Sequence, residues 1–486
     1  MSDHELARIQ LGADSDPAAV PTRDRFDVVV VGGGAAGLLA AHTVGTTRRR
    51  RRVLLVDAGL ALGARQQAGV SQMIGYGGAG LYLGGRLYVG PTTIPAFPPL
   101  TLPAGVGAVL QGSAYTDRMA QVNSLFTRLG ARISPQPAPS SALAAAVAAA
   151  SGAGLDYVTS YPARLLPLAE REAVLRGLLA ALETAGVQLA FGTRVSTVVR
   201  DGTGFRLALF PSGEAGAEPR TVWSRTLILA PGRYGLEWLV GVASALGARM
   251  IALPSAFGVR LEVSAAAYVP LTDINPDPRL QVQRGDALVK TYATCPGGRV
   301  AGVTRYGRLV ASGVPRPVGQ RGPATTFAVL VQPGAEAAAS IWRDGTAAAR
   351  RVNERVPGQL ALQRLGDLRA GRATITQALM SNSIQPTDAE AQPAPVHALY
   401  SARYWDALTE LLSRIEQLAP GTSAADALIY APAEERFWHF PTDEHLQTSV
   451  PGLFVAGDGP GQSQGVIQAG VAGLLAGEGA AAVLDA

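Results

Sequence analysis

The feature that most constrains this chain is the stretch FDVVVVGGGAAGLLAA, which begins at Phe26. Val28 to Val31 form a short β-branched run of the kind found in strands that are buried on both faces. Gly32, Gly34 and Gly37 follow with the spacing G-x-G-x-x-G, and a small-residue helix is predicted directly after them. Strand, glycines and helix in this order predict the first turn of a Rossmann-type fold.

Each part of this motif has a physical purpose. Gly32 permits the tight turn, Gly34 lets the backbone approach a pyrophosphate, and Gly37 lets the helix pack closely on the strand. The helix N-terminus offers free N–H groups and a positive dipole end to phosphates. A second strand, Val53 to Val56, ends at Asp57. An acidic side chain at this position accepts hydrogen bonds from the hydroxyls of an adenosine ribose. We therefore predict a dinucleotide site.

The composition excludes several other classes of protein. The chain has 486 residues, 48% of them hydrophobic, so it can bury a large core in two or more subdomains. The net charge of +5 is mild and does not predict a nucleic-acid partner. Cys295 is the only cysteine, which excludes an intrachain disulfide and a cysteine-based zinc site. No signal peptide or long, strongly apolar run is visible, so we expect a cytoplasmic protein without a membrane segment. We also expect no bound metal.

The chain divides by composition and pattern. We predict a flexible leader at 1–24, a dinucleotide-binding domain assembled from 25–99, 157–240 and 445–486, an insertion with one small helix at 100–156, and a second domain at 241–444. Strands and turns between 187 and 232 predict a β-meander followed by a return strand, in which Val195 covers the adenine and the turn from Ala230 to Gly232 passes near the ribose. The fold class is α/β, a parallel Rossmann-type sheet with a meander plus an inserted mixed α+β domain.

Two further stretches are candidates for the site. Six glycines between Gly75 and Gly85 exclude a regular helix there and suit a flat ring lying against the main chain. Arg65 and Arg86 bracket this loop and are candidates to face a phosphate or an anionic ring. Near the C-terminus, Asp458 follows a predicted strand and precedes a helix, a position that suits a ribityl hydroxyl of a flavin and the adjacent phosphate.

With these motifs in view, the chain resembles the FAD-dependent oxidoreductases of the glutathione-reductase-like superfamily. It is most similar to a bacterial family called NAD(FAD)-utilising or FAD-dependent dehydrogenases. The resemblance rests on the glycine motif with its downstream acid, on GGAG through GGRL at 77–87, on the turn CPGG that begins at Cys295, and on FVAGDGPGQSQGVIQAGVAGLLAGE near the C-terminus. It implies non-covalent FAD and a substrate domain inserted before the last strand of the FAD domain.

The chain departs from the family pattern at two places. Asp57 stands where glutamate is usual, and its shorter arm can weaken or reroute the ribose bond. Leu83-Gly84-Gly85-Arg86 stands where the family usually has Ser-Asp-Gly-Lys, so the chemistry near the flavin ring can differ from that of relatives.

The predicted cofactor contacts come from these motifs and from the resemblance. They are Gly32, Gly34, Ala35, Ala36, Gly37, Asp57, Ala58, Arg65, Gly78, Ala79, Gly80, Val195, Ala230, Gly232, Gly457, Asp458, Gly465, Val466 and Ile467. No residue stands out as a catalytic base. The candidates for a catalytic role are Arg86, Tyr292, Cys295 and His439.

Three functions remain open at this point. The first is a flavin enzyme that transfers hydride between a small organic substrate and flavin N5, with O₂ or another acceptor taking the electrons. The high content of alanine, arginine and glycine fits a high-GC bacterium, where such enzymes often tailor natural products. The second is an NAD(P)H-dependent reductase or monooxygenase, although no second complete G-x-G-x-x-G is present. The third is a non-catalytic FAD-binding protein.

Overall fold

The computed structural model describes residues 24–67, 73–88, 113–132, 141–158, 163–213, 217–305, 308–316, 322–334 and 338–486. The predicted leader lies outside the described residues apart from Asp24. Residues 89–112, which include the end of the glycine-rich loop and the start of the predicted insertion, also lie outside them. The described chain is a mixed α/β molecule with two large sheets.

The strands among the described residues are, in chain order, β1 Arg25–Val31, β2 Val53–Asp57, β3 Arg86–Tyr88, β4 Asp156–Tyr157, β5 Ala163–Leu165, β6 Gln188–Phe191, β7 Thr193–Asp201, β8 Gly204–Pro211, β9 Arg220–Leu229, β10 Ile251–Ser264, β11 Leu280–Arg284, β12 Ala287–Cys295, β13 Arg299–Arg305, β14 Arg308–Val314, β15 Ala324–Pro333, β16 Ala361–Arg364, β17 Gln392–Pro393, β18 Leu428–His439 and β19 Leu453–Val455.

The α-helices among them are α1 Ala35–Gly45, α2 Leu62–Gln67, α3 Ser113–Arg128, α4 Ser141–Gly152, α5 Leu168–Thr184, α6 Leu236–Ala245, α7 Ala265–Thr272, α8 Ala338–Arg355, α9 Leu365–Arg369, α10 Thr376–Met380, α11 Ala402–Leu418 and α12 Val466–Asp485. A π-helical turn covers Gly78–Gly84, and a 3₁₀ turn covers Val396–Ala398.

The first sheet is a parallel sheet extended by a meander. Strands β6, β2, β1 and β9 lie side by side and parallel. Strand β9 pairs along its other edge with antiparallel β8 and then with parallel β19, and β7 completes the meander. Strand β19, close to the C-terminus, therefore lies beside strands from the first half of the chain.

Both faces of β1 are buried, as its continuous β-branched run predicts. Val28 and Val30 belong to a core that also contains α1 and α12, whereas Val29 and Val31 belong to the core on the opposite face of the sheet. Side chains alternate along a strand, so one run supplies two cores and needs apolar residues at every position.

Helices α1 and α12 pack with their backbones in near contact. A Cβ atom on Gly473 would lie 2.2 Å from the Ala36 carbonyl oxygen, and one on Gly477 would lie 2.9 Å from that of Ala40. Helix α12 is long and apolar enough, by length and composition, to cross a membrane, and among the described residues it is the one helix that is. Since 78% of its apolar window is buried inside the protein, its composition is that of a core helix.

The second sheet has the strand order β17-β16-β18-β10-β15-β12-β11-β4 and is antiparallel except at the β16–β17 pair. Along β10, Phe257, Val259, Leu261 and Val263 belong to the core formed with α7, α8 and α11. Arg260 and the residues that alternate with this apolar set lie on the other face. The β13–β14 hairpin covers that face near Arg260, because a Cβ atom on Gly313 would lie 1.8 Å from Arg260 Nη2.

The prediction of one small helix in the insertion at 100–156 is wrong, because the structure has two. Helix α3 joins the first core through Tyr115, Met119, Val122 and Phe126. These residues recur at intervals of four, three and four, which is a helical stripe that the surrounding proline and alanine content obscures. Helix α4 instead joins the core of the second sheet.

The other predicted helices differ from the observed ones mainly at their ends. The sequence pattern predicts helices at 165–185, 335–352 and 404–417, and these correspond to α5, α8 and α11. The glycine-rich loop contains no α-helix but forms the π-helical turn, which is flanked by Gly77 and Gly85 with φ angles of +81° and +55°. Glycine adopts these left-handed angles without the steric cost that a Cβ would add.

Candidate functional site

One cavity of about 370 Å³ lies between the two sheets. On the first sheet its lining includes Gly32 and Ala230, which directly follow β1 and β9, and Gly457, which lies two residues after β19. On the second sheet its lining includes residues of β10, β12 and β18. The cavity thus lies outside the carboxyl ends of parallel strands, which is where open α/β sheets bind their ligands.

The N-terminus of α1 forms one wall of the cavity through Gly34, Ala35 and Ala36. The first N–H groups of a helix have no partner within the helix. A Cβ atom on Gly34 would have one neighbour within 4 Å, the Cα of Gly78 at 4.0 Å. The backbone is therefore open to the cavity here, and the two glycines form a cradle that side chains would fill.

Gly32 and Gly37 are required by the fold around this cradle. Gly32 has a φ of +112°, and a Cβ atom there would lie 2.1 Å from the Ala230 carbonyl oxygen. Gly37 does not line the cavity; a Cβ atom on it would lie 1.8 Å from the Gly32 carbonyl oxygen. The third glycine of the motif is thus needed for helix–strand packing.

Asp57 lines the cavity and ties two turns together. Its Oδ2 accepts a hydrogen bond from the Gly33 N–H at 2.6 Å, and its Oδ1 accepts one from the Gly59 N–H at 2.7 Å. The shorter aspartate therefore engages backbone N–H groups with both oxygens, one in the glycine turn and one in the turn after β2. The adjacent Ala58 is not among the lining residues.

Arg65 organises the glycine-rich turn and does not line the cavity. It is 1% exposed and donates hydrogen bonds to the carbonyl oxygens of Tyr76 at 2.7 Å and Gly78 at 3.2 Å. Its guanidinium lies 3.8 Å from the ring centroid of Tyr82. Burial lowers the pKa of Arg65 to about 10, against the opposing effects of Tyr82 and Asp57. The expectation that it faces a phosphate is not met in this structure.

The predicted residues of the glycine-rich turn and of the chain end meet across the cavity. Gly78, Ala79 and Gly80 line it on one side, and Gly457, Asp458, Gly465 and Val466 line it on the other. Gly465 precedes α12, so a second helix N-terminus opens on the same cavity.

Asp458 has a partner that sequence reasoning missed. Arg233 donates to both of its carboxylate oxygens, at 2.6 Å and 3.0 Å, and also contacts Glu435 at 3.3 Å. Burial lowers the pKa of Arg233, but the charges of Asp458, Tyr292 and Glu435 and the hydrogen bond to Asp458 together outweigh burial and raise it. The sequence contains one indication of this role, because Arg233 directly follows the turn at Ala230 to Gly232 that is predicted to lie near the ligand.

Two more predicted contacts lie away from the cavity. Val195 pairs with Leu209 in the meander and belongs to the core on the far face of the first sheet. Ile467 is fully buried in the core formed with α1. Neither side chain lines the cavity.

Three of the four catalytic candidates line the cavity: Arg86, Tyr292 and Cys295. Arg86 forms an ion pair with Asp277 at 3.0 Å and donates to the Thr294 carbonyl oxygen at 2.5 Å. The Tyr292 hydroxyl accepts a hydrogen bond from Gln464 Nε2 at 2.9 Å. Burial raises the pKa of Tyr292, so this phenol stays protonated at neutral pH.

His439 is the fourth candidate, and the structure separates it from the cavity. It pairs with Ile251 across strands β18 and β10 and is 2% exposed. Burial lowers its pKa, and its Nε2 has no hydrogen-bond partner among the described residues. This histidine is a buried neutral side chain of the sheet.

The charged residues on the second sheet were not predicted. Arg260, Arg305, Glu434 and Glu435 all line the cavity. Arg305 forms an ion pair with Glu435 at 3.1 Å, and Glu434 is held by Arg308 and Arg436. These side chains make this part of the cavity strongly polar, in contrast to the glycine-lined part.

Comparison with known proteins gives distant likenesses only. No family model matches the chain, and no curated protein matches it. Among solved structures, OxyS anhydrotetracycline hydroxylase from Streptomyces rimosus is 13% identical with a TM-score of 0.35, over 91% of this chain and 59% of that one. A 3-ketosteroid-Δ4-(5α)-dehydrogenase from Rhodococcus jostii is 12% identical with a TM-score of 0.43, over 96% and 99% of the two chains.

A third solved structure is a ternary complex of aklavinone-11 hydroxylase with FAD and aklavinone. It is 14% identical with a TM-score of 0.36, over 95% of this chain and 63% of that one. The chain thus spans about three fifths of the length of the two hydroxylases. At these identities and TM-scores, none of the three assigns an activity to this chain.

Proposed function

We propose that this protein is an FAD-dependent oxidoreductase that transfers hydride between a small organic substrate and N5 of the flavin. One observation carries the proposal: a single cavity collects the α1 N-terminus, the turn after β9 and the α12 N-terminus. Two helix N-termini on one cavity suit an extended ligand with anionic groups at separate points. When bound, FAD supplies the hydride chemistry.

The first-sheet residues fit the groups of FAD. The first-turn N–H groups of α1, beside Gly34 and Gly78, bind the pyrophosphate, because no side chain fills the space between these two glycines. Asp57 holds the glycine turn through Gly33 N–H and is positioned toward the adenosine ribose. Asp458, which is held by Arg233, would accept a hydrogen bond from a ribityl hydroxyl.

The N-terminus of α12 has a different task. Gly465 and Val466 line the cavity at the positive end of a helix of 20 residues. The positive end of that helix would stabilise negative charge on a bound flavin ring and so favour its reduced form. Gln464, two residues before this helix, donates a hydrogen bond to the hydroxyl of Tyr292 and so links the start of the helix to the second sheet.

The second sheet supplies the substrate side of the site. Tyr292 and Cys295 of β12 and Arg86 of β3 border the cavity on this side. The first two are buried and the Arg86 side chain is 17% exposed, so little water would contact these groups. Arg86 is fixed by Asp277 and Thr294, so its position is set before a substrate arrives. We propose a substrate of small size, as in the tailoring of natural products in a bacterial cytoplasm, with O₂ or another acceptor receiving the electrons.

The test is anaerobic mixing of the FAD-loaded protein with candidate electron donors while flavin absorbance is recorded. We expect loss of the yellow colour with an organic substrate and none with NADPH alone. Loss of colour with NADPH alone favours an NAD(P)H-dependent reductase or monooxygenase and contradicts the proposal. A bound flavin that no donor reduces indicates a non-catalytic FAD-binding protein.

A further inference from the structure

Four arginines line the cavity: Arg86, Arg233, Arg260 and Arg305. Three of them have a carboxylate partner, at 3.0 Å for Arg86–Asp277, 2.6 Å for Arg233–Asp458 and 3.1 Å for Arg305–Glu435. Arg260 forms no ion pair with any carboxylate of the described residues. It is therefore the exception in a cavity whose other cations are neutralised.

The hydrogen bonds of Arg260 are made by one edge of its guanidinium. Nε and Nη2 donate to the Thr326 hydroxyl at 3.0 Å and 2.7 Å, and Nη2 also donates to the Ala293 carbonyl oxygen at 2.9 Å. Nη1 donates to no described residue. The side chain is 2% exposed, and burial lowers its pKa. A buried guanidinium without an ion-paired carboxylate is costly, and the charges of Asp277 and Glu262 offset the effect of burial only in part, so the site favours an incoming anion.

Cys295 does not supply that anion. Its Sγ lies 3.6 Å from Arg260 Nη2 and 3.6 Å from the Ala293 carbonyl oxygen. A thiol donates its proton to such an oxygen, whereas a thiolate has no proton to donate and is repelled by it. The Sγ–H of Cys295 therefore points to a carbonyl oxygen that Arg260 also contacts.

The β13–β14 hairpin leaves room for the guanidinium and adds a second polar group. A side chain at Gly313 would overlap Arg260, because its Cβ would lie 1.8 Å from Nη2. Ser312, the preceding residue, lines the cavity, and its hydroxyl has no hydrogen-bond partner among the described residues. Arg260 and Ser312 thus both line the cavity with donors that no described group uses.

We propose that Arg260 and Ser312 form a subsite that binds a carboxylate of the organic substrate. The proposal rests on the proposed function, because the subsite would hold the substrate beside the cofactor. A single guanidinium matches the single charge of a carboxylate. A phosphate dianion needs more cationic charge, and the other arginines of the cavity are already paired. The substrate class is accordingly a small organic acid.

The test compares an acid with its own amide. The FAD-loaded protein is titrated near neutral pH with benzoate and benzamide, and with propionate and propionamide as smaller probes. Binding is measured by calorimetry and by the shift in flavin absorbance, without turnover. A charged hydrogen bond of about 1.5–3 kcal/mol predicts that the acid binds about 10- to 100-fold more tightly than the amide.

Three variants assign this preference to residues. In Arg260→Met we expect the acid-to-amide ratio to fall to about 1, and in Ser312→Ala we expect a loss of a few-fold. Ser312→Ala keeps the test decisive if Arg260→Met fails to fold. Arg308→Gln is the matched control on the same hairpin, because Arg308 does not line the cavity and its partner Glu434 retains Arg436. We expect it to leave the ratio unchanged.

Several results would overturn the subsite: equal binding of acid and amide, an undiminished preference in both cavity variants, no binding by any acid, or tighter binding of inorganic phosphate. These outcomes are distinct from failure of the proposed function. If the protein takes up no FAD but still binds benzoate in a manner that depends on Arg260, the subsite stands and the flavin proposal falls.

Discussion

The two halves of the cavity are built in different ways. The half at the first sheet is made of backbone, with glycines such as Gly34 and Gly78 presenting the main chain to the cavity. The half that faces the second sheet is made of charged side chains. Among them are Arg260 and Glu434, from β10 and β18 of that sheet, and Arg86, from the neighbouring strand β3. A backbone site tolerates no added atoms, whereas a side-chain site is tuned by charge. The predictions below test this difference.

The largest effect is expected for Gly32→Ala. The substitution forces a φ of +112° on a residue with a Cβ and places that atom 2.1 Å from the Ala230 carbonyl oxygen. The backbone conformation alone costs about 1–3 kcal/mol, and the overlap adds to it. We expect a lower melting temperature and no FAD uptake.

Gly63→Ala is the matched control for this change. Gly63 lies in α2, and a Cβ there would have no neighbour within 4 Å. Alanine is the better helix former by about 1 kcal/mol, so this variant should be as stable as the natural protein or more so. Equal melting temperatures for the two variants would contradict the backbone account.

Gly34→Ala should separate cofactor binding from folding. Gly34 has φ −80° and ψ −179°, which alanine adopts freely, and the added Cβ touches only Gly78 Cα at 4.0 Å. We expect the melting temperature of the FAD-free protein to be unchanged while FAD affinity falls by about 10-fold or more, since a methyl group fills the cradle. Fluorescence titration with FAD measures the affinity. Unchanged affinity would mean that no phosphate approaches this turn.

Asp458→Ala tests the junction between the two halves. It removes the ribityl acceptor and leaves Arg233 with Glu435 as its carboxylate partner. Loss of a charged hydrogen bond predicts an affinity for FAD that is lower by about 10-fold. The cofactor should then be lost during purification, which leaves the protein largely colourless. Asp458→Asn keeps the shape of the side chain without its charge, so its FAD content should fall between that of the natural protein and that of Asp458→Ala. FAD content of the purified variants is the readout, and near-stoichiometric FAD in Asp458→Ala refutes the role.

A pH-dependent effect on stability concerns Lys290, behind the charged half. Its Nζ bonds Gln332 and lies 5.9 Å from the Tyr292 ring centroid. Burial, together with the charge of Arg279, lowers its pKa from 10.5 to about 7. Between these two pH values the unfolded chain binds the proton and the native protein does not. The free energy of unfolding therefore gains a contribution that rises with pH in this window and is flat below it.

Urea unfolding of the natural protein and of Lys290→Met at several pH values measures this contribution. The free energy of unfolding should rise more steeply with pH in the natural protein than in Lys290→Met. The difference between the two slopes should be at most about 1.4 kcal/mol per pH unit. Identical slopes would show that Lys290 titrates in the native state as it does in the unfolded chain.

The sequence predicts the backbone half of the cavity better than the charged half, for a physical reason. Strand β1, helix α1 and strand β2 form one contiguous run, so spacing alone specifies which groups meet. Arg260 lies in the alternating segment GVRLEV, a pattern that predicts a half-exposed strand with Arg260 in solvent. It is buried because a hairpin that begins 39 residues later in the sequence, between Arg299 and Val314, covers that face. No local pattern contains that information.

Local rules also misjudged particular charged residues. Arg65 was expected at a phosphate but is buried beneath the glycine-rich turn, where it satisfies the carbonyl oxygens that an irregular glycine backbone leaves unpaired. Arg233 was overlooked beside Asp458, although it directly follows a predicted turn. In both cases the partner is brought close by the fold and not by sequence spacing.

The central claim is that FAD occupies this cavity in the natural protein. The most direct measurement is the visible absorbance of the purified protein together with the amount of flavin released on denaturation. The account predicts a yellow protein that releases about one equivalent of FAD per chain without proteolysis, as expected of a non-covalent cofactor. A colourless protein that takes up no FAD when it is supplied would contradict the account.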